Sequence, residues 1–519
     1  MSGQNQQLTL LSKHCLLGIP EELQVYTLLE LTAEDILAIT KVCHALNDLV
    51  KRTPAVQYKL ELGLAGMVDG PAQGVPVGKR LGNLRMYQAA WRDNDIPMQT
   101  VVIPHGAPRP YFKMLRPASV FSGITEESKV MKIKENLIDE GYIQGCAVDV
   151  AQDLVVVTKL ELGELPELYI LSQDGTFHPL AAQPHIEGDE ELSECIDPEE
   201  KLEICGDLIA WSVATDSTNI TVINWKTGRT VWSSGEWHDG NPMFYLRCHF
   251  LDPTHLLIVE NLNLHIHEVD PAQPHCNASY DNALCTLKLP ALAGQKSPHD
   301  VKSAMEIPPV YPGAAALFQR DPALTLLALR FSACNDPVYR RSSTVCKSFV
   351  ALIPIATLFA QLERTRNKEK TPPPQGGKGR KAPKANVASW EEWSPLGARF
   401  MEVKDDGCRM RAMGSQCLIV PRKGPDDKPE AYLFDAHPLA GDAPHAKVDL
   451  NESKVRADEY ITEPEWFVNP VHSTLPYRVA HKTYDRKLEP EAHQYLGSMS
   501  ISHDGLIGVS YQLPPPKSK

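Results

Sequence analysis

The chain has 519 residues, of which 43% are hydrophobic and 23% are charged, and its formal net charge is −13. This length exceeds what one small core can serve, so we expect two or more domains. The apolar fraction matches ordinary globular proteins and excludes wholesale disorder. The acidic balance argues against nucleic acid as a partner, because phosphate contacts need clustered Lys and Arg. The 42 Pro residues beside 32 Gly favour a turn-rich, all-β protein.

The sequence predicts no membrane segment and no export signal. Residues 1–18 lack a basic n-region, and we expect them to be disordered. The longest mainly apolar stretch, Phe349 to Ala360, contains Pro354 and is too short to cross a bilayer. The 12 Cys residues are scattered without a CxxC pair. We therefore expect reduced, mostly buried thiols and a cytoplasmic or nuclear location.

The first part of the chain has helical periodicity. From Ile36 to Val50, apolar side chains recur at spacings of three and four, which is typical of one helix face. Thr32 and Asp35 resemble a capping box at its start. Thr53-Pro54 predicts the start of a second helix, and a third is expected from about Gly78 to Trp91. The helices of residues 51–95 would link the N-terminal segment to the rest of the chain.

From residue 96 onward, short β-rich runs alternate with turn signals. Gln173-Asp174-Gly175 and Lys226-Thr227-Gly228 are typical of hairpins. We expect Leu324 to Phe331 to pair with Ser348 to Ile355. These patterns indicate an all-β domain at residues 96–513, followed by a disordered tail at 514–519.

One run type recurs in this domain: a turn with Asp or Gly, and then an apolar strand. Successive examples centred on Val155, Ile209 and Leu257 are 54 and 48 residues apart, close to a propeller blade of roughly 40–50 residues. Later intervals are longer and must contain insertions. We predict a β-propeller of six to eight blades, with a pair of β-sandwiches as the alternative. The WD and GH repeat signatures are absent.

A basic segment interrupts the β pattern. Residues 363–385 carry eight Lys or Arg and two Glu and have no apolar periodicity. We expect residues 363–388 to form a disordered insertion, because this composition cannot bury a core. A nuclear-import signal or a patch for an acidic partner is the alternative.

The segment Ile19 to Leu46 reads IPEELQVYTLLELTAEDILAITKVCHAL. It resembles an F-box, whose pattern begins Leu-Pro-x-Glu-Leu and continues through apolar positions to Asp-Leu-Leu and Val-Cys. Ile19-Pro20 and Glu22-Leu23 match its start, Asp35-Ile36-Leu37 its middle, and Val42-Cys43 its end. The overall expectation is an α+β multidomain protein with a small helical F-box domain at residues 19–50.

Two positions depart from the F-box pattern. Ile19 replaces the first Leu, and Thr27 stands where Ile or Leu is usual. A hydroxyl in an apolar seam costs free energy unless it is hydrogen-bonded. Further along, Thr53 to Gly70 and Arg80 to Trp91 resemble the sequences that follow the box in fungal F-box proteins.

The resemblance implies a partner, the Skp-family adaptor, and through it a cullin–RING ubiquitin ligase. The residues expected to contact the adaptor are Ile19, Pro20, Leu23, Leu28, Leu31, Ile36 and Leu37. About 30 helical residues bury little apolar surface by themselves, so an apolar patch on them indicates a protein partner. The chain would hold an unidentified target protein near the ligase and would perform no chemistry itself.

Two other functions stay open. The chain could be a propeller scaffold whose helical N-terminus packs on its own β domain. It could also be a hydrolase that uses the central channel, but no convergent set of carboxylates or histidines is visible in the sequence. Motifs such as GxSxG, HExxH and GxxxxGK[ST] are absent, and we expect neither a cofactor nor a metal.

Several histidines, arginines and tryptophans have more than one interpretation. His265 and His267 share a strand face and could bind a metal with His249 or His255, although hydrogen-bonded histidines are the simpler interpretation. His503-Asp504 is typical of a hairpin turn, and Arg340-Arg341 of a solvated loop or a phosphate contact. Three Trp residues are expected to pack between blades, with peptide binding as the alternative: Trp211, Trp225 and Trp232.

Overall fold

The structure is a computed structural model that describes residues 16–512 with internal gaps. The positions within this span that are not described are 73, 94, 104–110, 117–118, 125–126, 133–142, 160–163, 189–200, 215–217, 235–245, 273–275, 278–281, 295, 309–315, 335–345, 371–385, 404–407, 422–429, 442–458, 462–464, 484–493 and 502–505. The tail at residues 514–519 lies outside the described residues, as do residues 1–15 of the segment expected to be disordered.

Helices dominate the described residues before position 93. Their bounds are α1 Glu21–Glu30, α2 Ala33–Thr40, α3 His44–Arg52, α4 Pro54–Leu64 and α5 Val77–Arg92. Short 3₁₀ turns occur at Leu16–Gly18, Val150–Gln152, Pro322–Leu324 and Ser394–Leu396. The helices predicted at Thr53-Pro54 and at Gly78 to Trp91 are confirmed. The expectation of disorder is wrong for residues 16–18, which form the first of these turns.

The single helix expected from Ile36 to Val50 is wrong. Helix α2 ends at Thr40, and the backbone at Cys43 is extended, with φ −157° and ψ 161°, before α3 begins. Ile36 and Val50 nevertheless belong to one buried core. Two short helices that face one shared core each keep their apolar side chains at three- and four-residue spacings, which is why the periodicity concealed the break between them.

Most of the remaining described residues form β-strands. The first are β1 Met67–Asp69, β2 Met98–Ile103, β3 Tyr111–Arg116, β4 Glu127–Lys132, β5 Ile143–Asp149, β6 Leu154–Lys159, β7 Glu167–Ser172, β8 His185–Glu187, β9 Lys201–Cys205, β10 Leu208–Ala214, β11 Thr218–Asn224, β12 Arg229–Ser233, β13 Leu246–Asp252, β14 His255–Glu260, β15 Asn263–Glu268, β16 Cys276–Asn277 and β17 Cys285–Lys288. Then come β18 Ser297–Ala304, β19 Phe318–Arg320, β20 Leu326–Cys334, β21 Cys346–Pro354, β22 Val387–Ala388, β23 Arg399–Val403, β24 Arg409–Met413, β25 Gln416–Val420, β26 Glu430–Ala436, β27 Glu459–Ile461, β28 Val471–Ser473, β29 Tyr477–Thr483, β30 Gln494–Ile501 and β31 Leu506–Gln512. Helices α6 Ile355–Lys370 and α7 Trp390–Trp393 lie among them.

Six larger sheets follow one another along the chain. Their strand orders are β5-β6-β7-β8 in sheet 1, β9-β10-β11-β12-β16 in sheet 2, β13-β14-β15-β17-β22 in sheet 3, β18-β20-β21-β23 in sheet 4, β24-β25-β26-β29 in sheet 5, and β30-β31-β2 in sheet 6. Pairing is mostly antiparallel, but β12–β16, β17–β22 and β31–β2 are parallel. Smaller pairs are β1–β19, β3–β4 and β27–β28. The pairing predicted between residues 324–331 and 348–355 is confirmed by β20 and β21.

Successive sheets share their cores. One core joins sheets 1 and 2, a second joins sheets 2 and 3, a third joins sheets 3 and 4, a fourth joins sheets 4 and 5, and a fifth joins sheets 5 and 6. The first strands of neighbouring sheets also touch, as in β5 with β9, β9 with β13, β18 with β24, and β24 with β30. The first strand therefore lies on the same side of each sheet in this series.

Strand β20 shows why these sheets are buried on both faces. All nine of its residues are buried. Leu327, Leu329 and Phe331 belong to the core shared with sheet 3, whereas Leu326 and Ala328 belong to the core shared with sheet 5. Alternate side chains of a strand point to opposite faces, so sheet 4 is packed between its two neighbours. A nearly continuous apolar sequence is the result.

Two sequence-based expectations for this region are wrong. Residues 363–370 of the basic segment continue helix α6, and Val387–Ala388 pairs with sheet 3 as β22, so only residues 371–385 lie outside the described part. Leu358 and Leu362 anchor α6 in the core of sheets 3 and 4, which extends the helix into polar sequence. Cys334 and Cys346, expected to be thiols, face each other across β20 and β21 and form a disulfide.

Candidate functional site

In the N-terminal helical unit formed by α1–α3, the first two helices begin at well-defined signals. The carbonyl of Pro20 accepts hydrogen bonds from the backbone amides of Leu23 (3.0 Å) and Gln24 (3.1 Å), so α1 starts immediately after the proline. The amide of Asp35 donates to Thr32 Oγ1 at 3.2 Å, which confirms the predicted cap of α2. These contacts fix where the apolar side chains of the segment point.

A small core closes the inside of this helical unit. Its buried members are Leu28, Ile36, Leu49 and Val50, which are joined by Val56 of α4, and half-buried Leu31 packs against them. Leu28 and Ile36 are both 0% exposed. The expectation that they belong to an exposed apolar patch is therefore wrong, because the turns between α1, α2 and α3 let the helices cover one another.

Four large apolar side chains are exposed on the outer surface of the same unit. Leu17 is 47% exposed, Leu23 54%, Tyr26 64% and Val42 71%. Pro20 is also exposed, while Ile19 and Leu37 are half-buried. Leu23 and Tyr26 are three residues apart on α1, so they lie on the same face of the helix. Exposed large apolar side chains at this density indicate a protein partner.

The structure thus divides the seven predicted contact residues. Pro20 and Leu23 are on the surface, Leu28 and Ile36 are inside, and three are half-buried: Ile19, Leu31 and Leu37. Leu17, Tyr26 and Val42 are exposed apolar residues outside the predicted contact set. The signal for Tyr26 was available, since it follows Leu23 at helical spacing.

Thr27, the departure from the F-box pattern, does not carry an unpaired hydroxyl. Its Oγ1 donates to the carbonyl of Leu23 at 2.8 Å, and the residue is exposed. A hydroxyl that is bonded to the preceding turn and partly hydrated carries little desolvation penalty. Thr27 is therefore compatible with a contact surface on α1.

Close packing ties the helical unit to α4. Gly63 on α4 lies directly against Ala33 on α2: a Cβ at position 63 would stand 2.2 Å from the Ala33 Cβ. The Nζ of Lys59 on α4 donates to the carbonyl of Leu29 on α1. Helices α2 and α4 consequently approach each other at a distance that only glycine permits at position 63.

Helices α4 and α5 in turn pack on the β part. Tyr58 Oη lies 2.8 Å from the carbonyl of Leu317 and 2.9 Å from Asp69 Oδ1. Arg80 Nη1 holds the Asp69 carboxylate at 2.7 and 2.8 Å. Burial, together with the neighbouring Asp69, raises the pKa of Tyr58, so it remains a neutral donor. Strand β1 also pairs with β19.

A second anchor fixes the end of α5. The Arg478 guanidinium lies 4.4 Å from the ring centre of Trp91, and it also donates to Asp435 at 2.7 and 3.0 Å. Tyr87 accepts a hydrogen bond from Gln416 Nε2 at 3.1 Å. Helices α4 and α5 therefore pack on the chain's own β part. The scaffold hypothesis predicted this packing for the helical N-terminus. The core around Leu28 and Ile36 is separate from the β part and is built by α1–α3 together with Val56 and Leu60 of α4.

The histidines considered as metal ligands have other roles. His265 Nε2 contacts Glu260 at 3.2 Å, and its Nδ1 contacts Thr286 at 3.1 Å. His267 packs edge-on against Trp232, and burial lowers its pKa to about 4. The carboxylate partner of His265 is five residues away and was missed in the sequence. Among the described residues, no group of three His, Cys, Asp or Glu could hold a metal ion.

The three Trp residues pack between successive sheets. Trp211 and Trp225 belong to the core between sheets 1 and 2, and Trp232 belongs to the core between sheets 2 and 3. Arg340-Arg341 and His503-Asp504 lie outside the described residues. None of the helices in the described ranges is both long and apolar enough to span a membrane.

Comparison with known proteins gave only distant structural likenesses. No family model matches the chain, and no curated protein matches it. BamB from Moraxella catarrhalis is similar over 62% of this chain and 86% of its own, with 11% identity and a TM-score of 0.28. The WD40 domain of SCAP from fission yeast is similar over 69% of this chain and 76% of its own, with 7% identity and a TM-score of 0.24. Because both scores lie below 0.5, neither likeness supports a conclusion about this chain.

Proposed function

We propose that the chain is an F-box substrate receptor. The N-terminal helical unit binds a Skp-family adaptor, and the β part recruits a target protein to a cullin–RING ubiquitin ligase. The observation that carries this proposal is the exposure of four large apolar side chains, Leu17, Leu23, Tyr26 and Val42, on a unit that already has a closed core. A partner would cover side chains that the fold itself leaves in water.

The attachment of the helical unit supports a positional role. The glycine contact of α4 with α2, and the hydrogen bonds of Tyr58 and Arg80, connect the adaptor surface to the β part through packed helices. A stiff connection fixes the distance between a bound target and the ligase. The receptor then raises the local concentration of the target, and this role requires no chemistry from the chain.

The β part is proposed to be a β-propeller of six to eight blades. Six sheets follow one another in chain order, and each shares a core with the next. First strands of neighbouring sheets also touch. Both observations support a radial arrangement of the sheets. Strand β2 pairs with β31, which joins residues near 100 to residues near 510 as ring closure requires. An experimental structure that counted fewer than six radial sheets would exclude this proposal.

A pull-down with purified full-length chain and recombinant adaptor tests the receptor function. Wild type should retain the adaptor, and the double variant Pro20→Ala/Leu23→Ala should lose it. Leu180→Ala is a matched control, because Leu180 is 62% exposed and lies in the connection between β7 and β8, remote in sequence from the helical unit. If the double variant binds as wild type does, the predicted surface is not the contact.

The second candidate is a protein-interaction scaffold. The docking of α4 and α5 on the β part favours it, since these helices already have an intramolecular role. Failure of wild type to bind any Skp-family adaptor would favour the scaffold. A cytoplasmic or nuclear location remains part of the receptor proposal, because the ligase partners act there.

A further inference from the structure

Three polar side chains from three successive sheets meet in a row. Glu203 lies on β9, His249 on β13 and Ser303 on β18, which are the first strands of sheets 2, 3 and 4. Glu203 Oε1 is 2.8 Å from His249 Nδ1, and His249 Nε2 is 2.7 Å from Ser303 Oγ. Both distances are those of direct hydrogen bonds.

The carboxylate fixes the orientation of the imidazole. The second oxygen of Glu203, Oε2, accepts the backbone amide of Phe250 at 3.0 Å. With its carboxylate held in this way, Glu203 places the ring proton on His249 Nδ1. Nε2 is then the acceptor for the Ser303 hydroxyl. A serine, a histidine base and an orienting carboxylate in this order have the geometry of an activated nucleophile.

The three groups differ in their access to solvent. The His249 side chain is fully buried, the Glu203 side chain is 17% exposed, and Ser303 is half-buried between exposed Lys302 and half-buried Ala304. Ser303 and Glu203 are thus both partly open to solvent on either side of the buried imidazole, and a substrate would approach at the serine. Its base sits in a dry environment, where hydrogen bonds and charges act more strongly than in water.

A carboxylate follows the serine three residues later in the sequence. Glu306 follows Ser303 at the start of the next loop and is exposed, yet desolvation by the surrounding protein raises its pKa. Arg411 and Arg320 act in the opposite direction on that pKa, and Glu203 adds to the rise. Arg411 lies on β24, the first strand of sheet 5, with an exposed side chain. Four successive first strands therefore supply polar groups to one region.

We propose that Ser303 is the nucleophile of an acyl-transfer site that accepts small carboxylic esters. Ser303 Oγ forms a bond to the acyl carbon, and its proton moves to His249 Nε2. The C–O bond to the alcohol breaks, and the alcohol leaves with that proton. Water then attacks the acyl carbon, gives a proton to His249, and displaces Ser303 Oγ, which recovers the proton as the carboxylic acid departs.

His249 is the general base and acid of this cycle, and Glu203 is a positioning residue that acts through it. This proposal does not depend on the adaptor-binding function, because it uses none of the residues of the helical unit. Its alternative is a hydrogen-bonded clamp between three sheets. In either role, substitution of these residues can change the stability of the fold. Reaction of Ser303 with an electrophile is expected only if Ser303 is a nucleophile.

The test uses the full-length chain and a fluorophosphonate probe, in which serine attack forms a P–O bond and fluoride leaves. Mass spectrometry should locate the adduct on Ser303, and Ser303→Ala should abolish it. Ser348→Ala should be labelled like wild type, because Ser348 is a buried strand serine that pairs with Ser332 at 2.8 Å. Absence of an adduct on Ser303 in the folded wild type overturns the proposal.

Turnover provides a second readout. Hydrolysis of p-nitrophenyl acetate should fall at least tenfold in Ser303→Ala and in Glu203→Gln, and Glu203→Asp should recover part of the rate. Thermal melting by circular dichroism verifies that each variant is folded. Equal hydrolysis by wild type and Ser303→Ala overturns the proposal even if both proteins melt at the same temperature. Adaptor binding by Ser303→Ala should be unchanged, which keeps this result separate from the receptor test.

Discussion

Leu28 and Leu23, five residues apart on α1, should respond differently to truncation to alanine. Leu28 is 0% exposed and Leu23 is 54% exposed. Removing a fully buried Leu side chain costs about 2–5 kcal/mol through lost burial and the cavity that remains. In a small unit that can partly relax, we expect about 3 kcal/mol for Leu28→Ala. For Leu23→Ala the cost should stay below about 1 kcal/mol, since half of the side chain is in water.

Hydrogen exchange measured by mass spectrometry resolves this difference, because global melting of a 519-residue chain would not report on one helical unit. Peptides that cover α1–α3 should exchange roughly 100-fold faster in Leu28→Ala, as about 3 kcal/mol implies. In Leu23→Ala their protection should fall by less than about tenfold. Peptides from sheet 4 serve as an internal control. Equal loss of protection in both variants would refute the assignment of Leu28 to the core and of Leu23 to the surface.

Three further predictions follow from the packing. Gly63→Ala should lower the protection of α1–α4 from hydrogen exchange, because the new Cβ would stand 2.2 Å from the Ala33 Cβ. Gly82→Ala on α5 places its Cβ in open space and should be neutral or stabilising, so hydrogen exchange should distinguish the two variants. Tyr58→Phe should destabilise the docking of α4 by about 1 kcal/mol in chemical denaturation, since a buried hydrogen bond is lost; an unchanged midpoint would contradict this. Burial lowers the pKa of His437 to about 4. Between about pH 6.5 and 4 the unfolded chain therefore binds a proton that the folded chain does not. The free energy of unfolding should fall by about 1 kcal/mol for each pH unit that the pH is lowered through that window. His437→Gln should flatten this dependence in thermal melts, and an equal slope would refute it.

Local signals predicted the elements of the fold well. Gly175 and Gly228, the last residues of the two hairpin signals, have φ of 80° and 70°, as such turns require. Thr32 caps α2, and Pro54 begins α4. Each of these features depends on a few adjacent residues, and sequence alone therefore locates it.

Features that depend on distant residues were missed. Helices α2, α3 and α4 decide which side of α1 faces inward. Periodicity alone therefore could not show that Leu28 is buried and Leu23 is exposed. Helix α6 continues into the basic segment because Leu358 and Leu362 anchor it in a core formed by two sheets. The Ser303 and His249 side chains are 54 residues apart in sequence, and no short motif relates them.

The central claim is that exposed apolar residues of α1 bind the adaptor. About half of Leu23 and two thirds of Tyr26 remain to be buried. At about 1.5–3 kcal/mol for full burial of such a side chain, the pair supplies about 2–3 kcal/mol of the binding free energy. Truncating both to alanine should then weaken the complex roughly 30- to 150-fold.

The most direct test is the dissociation constant of purified full-length chain and Skp-family adaptor by isothermal titration calorimetry. Wild type should bind, Leu23→Ala/Tyr26→Ala should bind roughly 30- to 150-fold more weakly, and the exposed control Leu180→Ala should match wild type. No binding by wild type, or equal affinity in the double variant, would contradict the account.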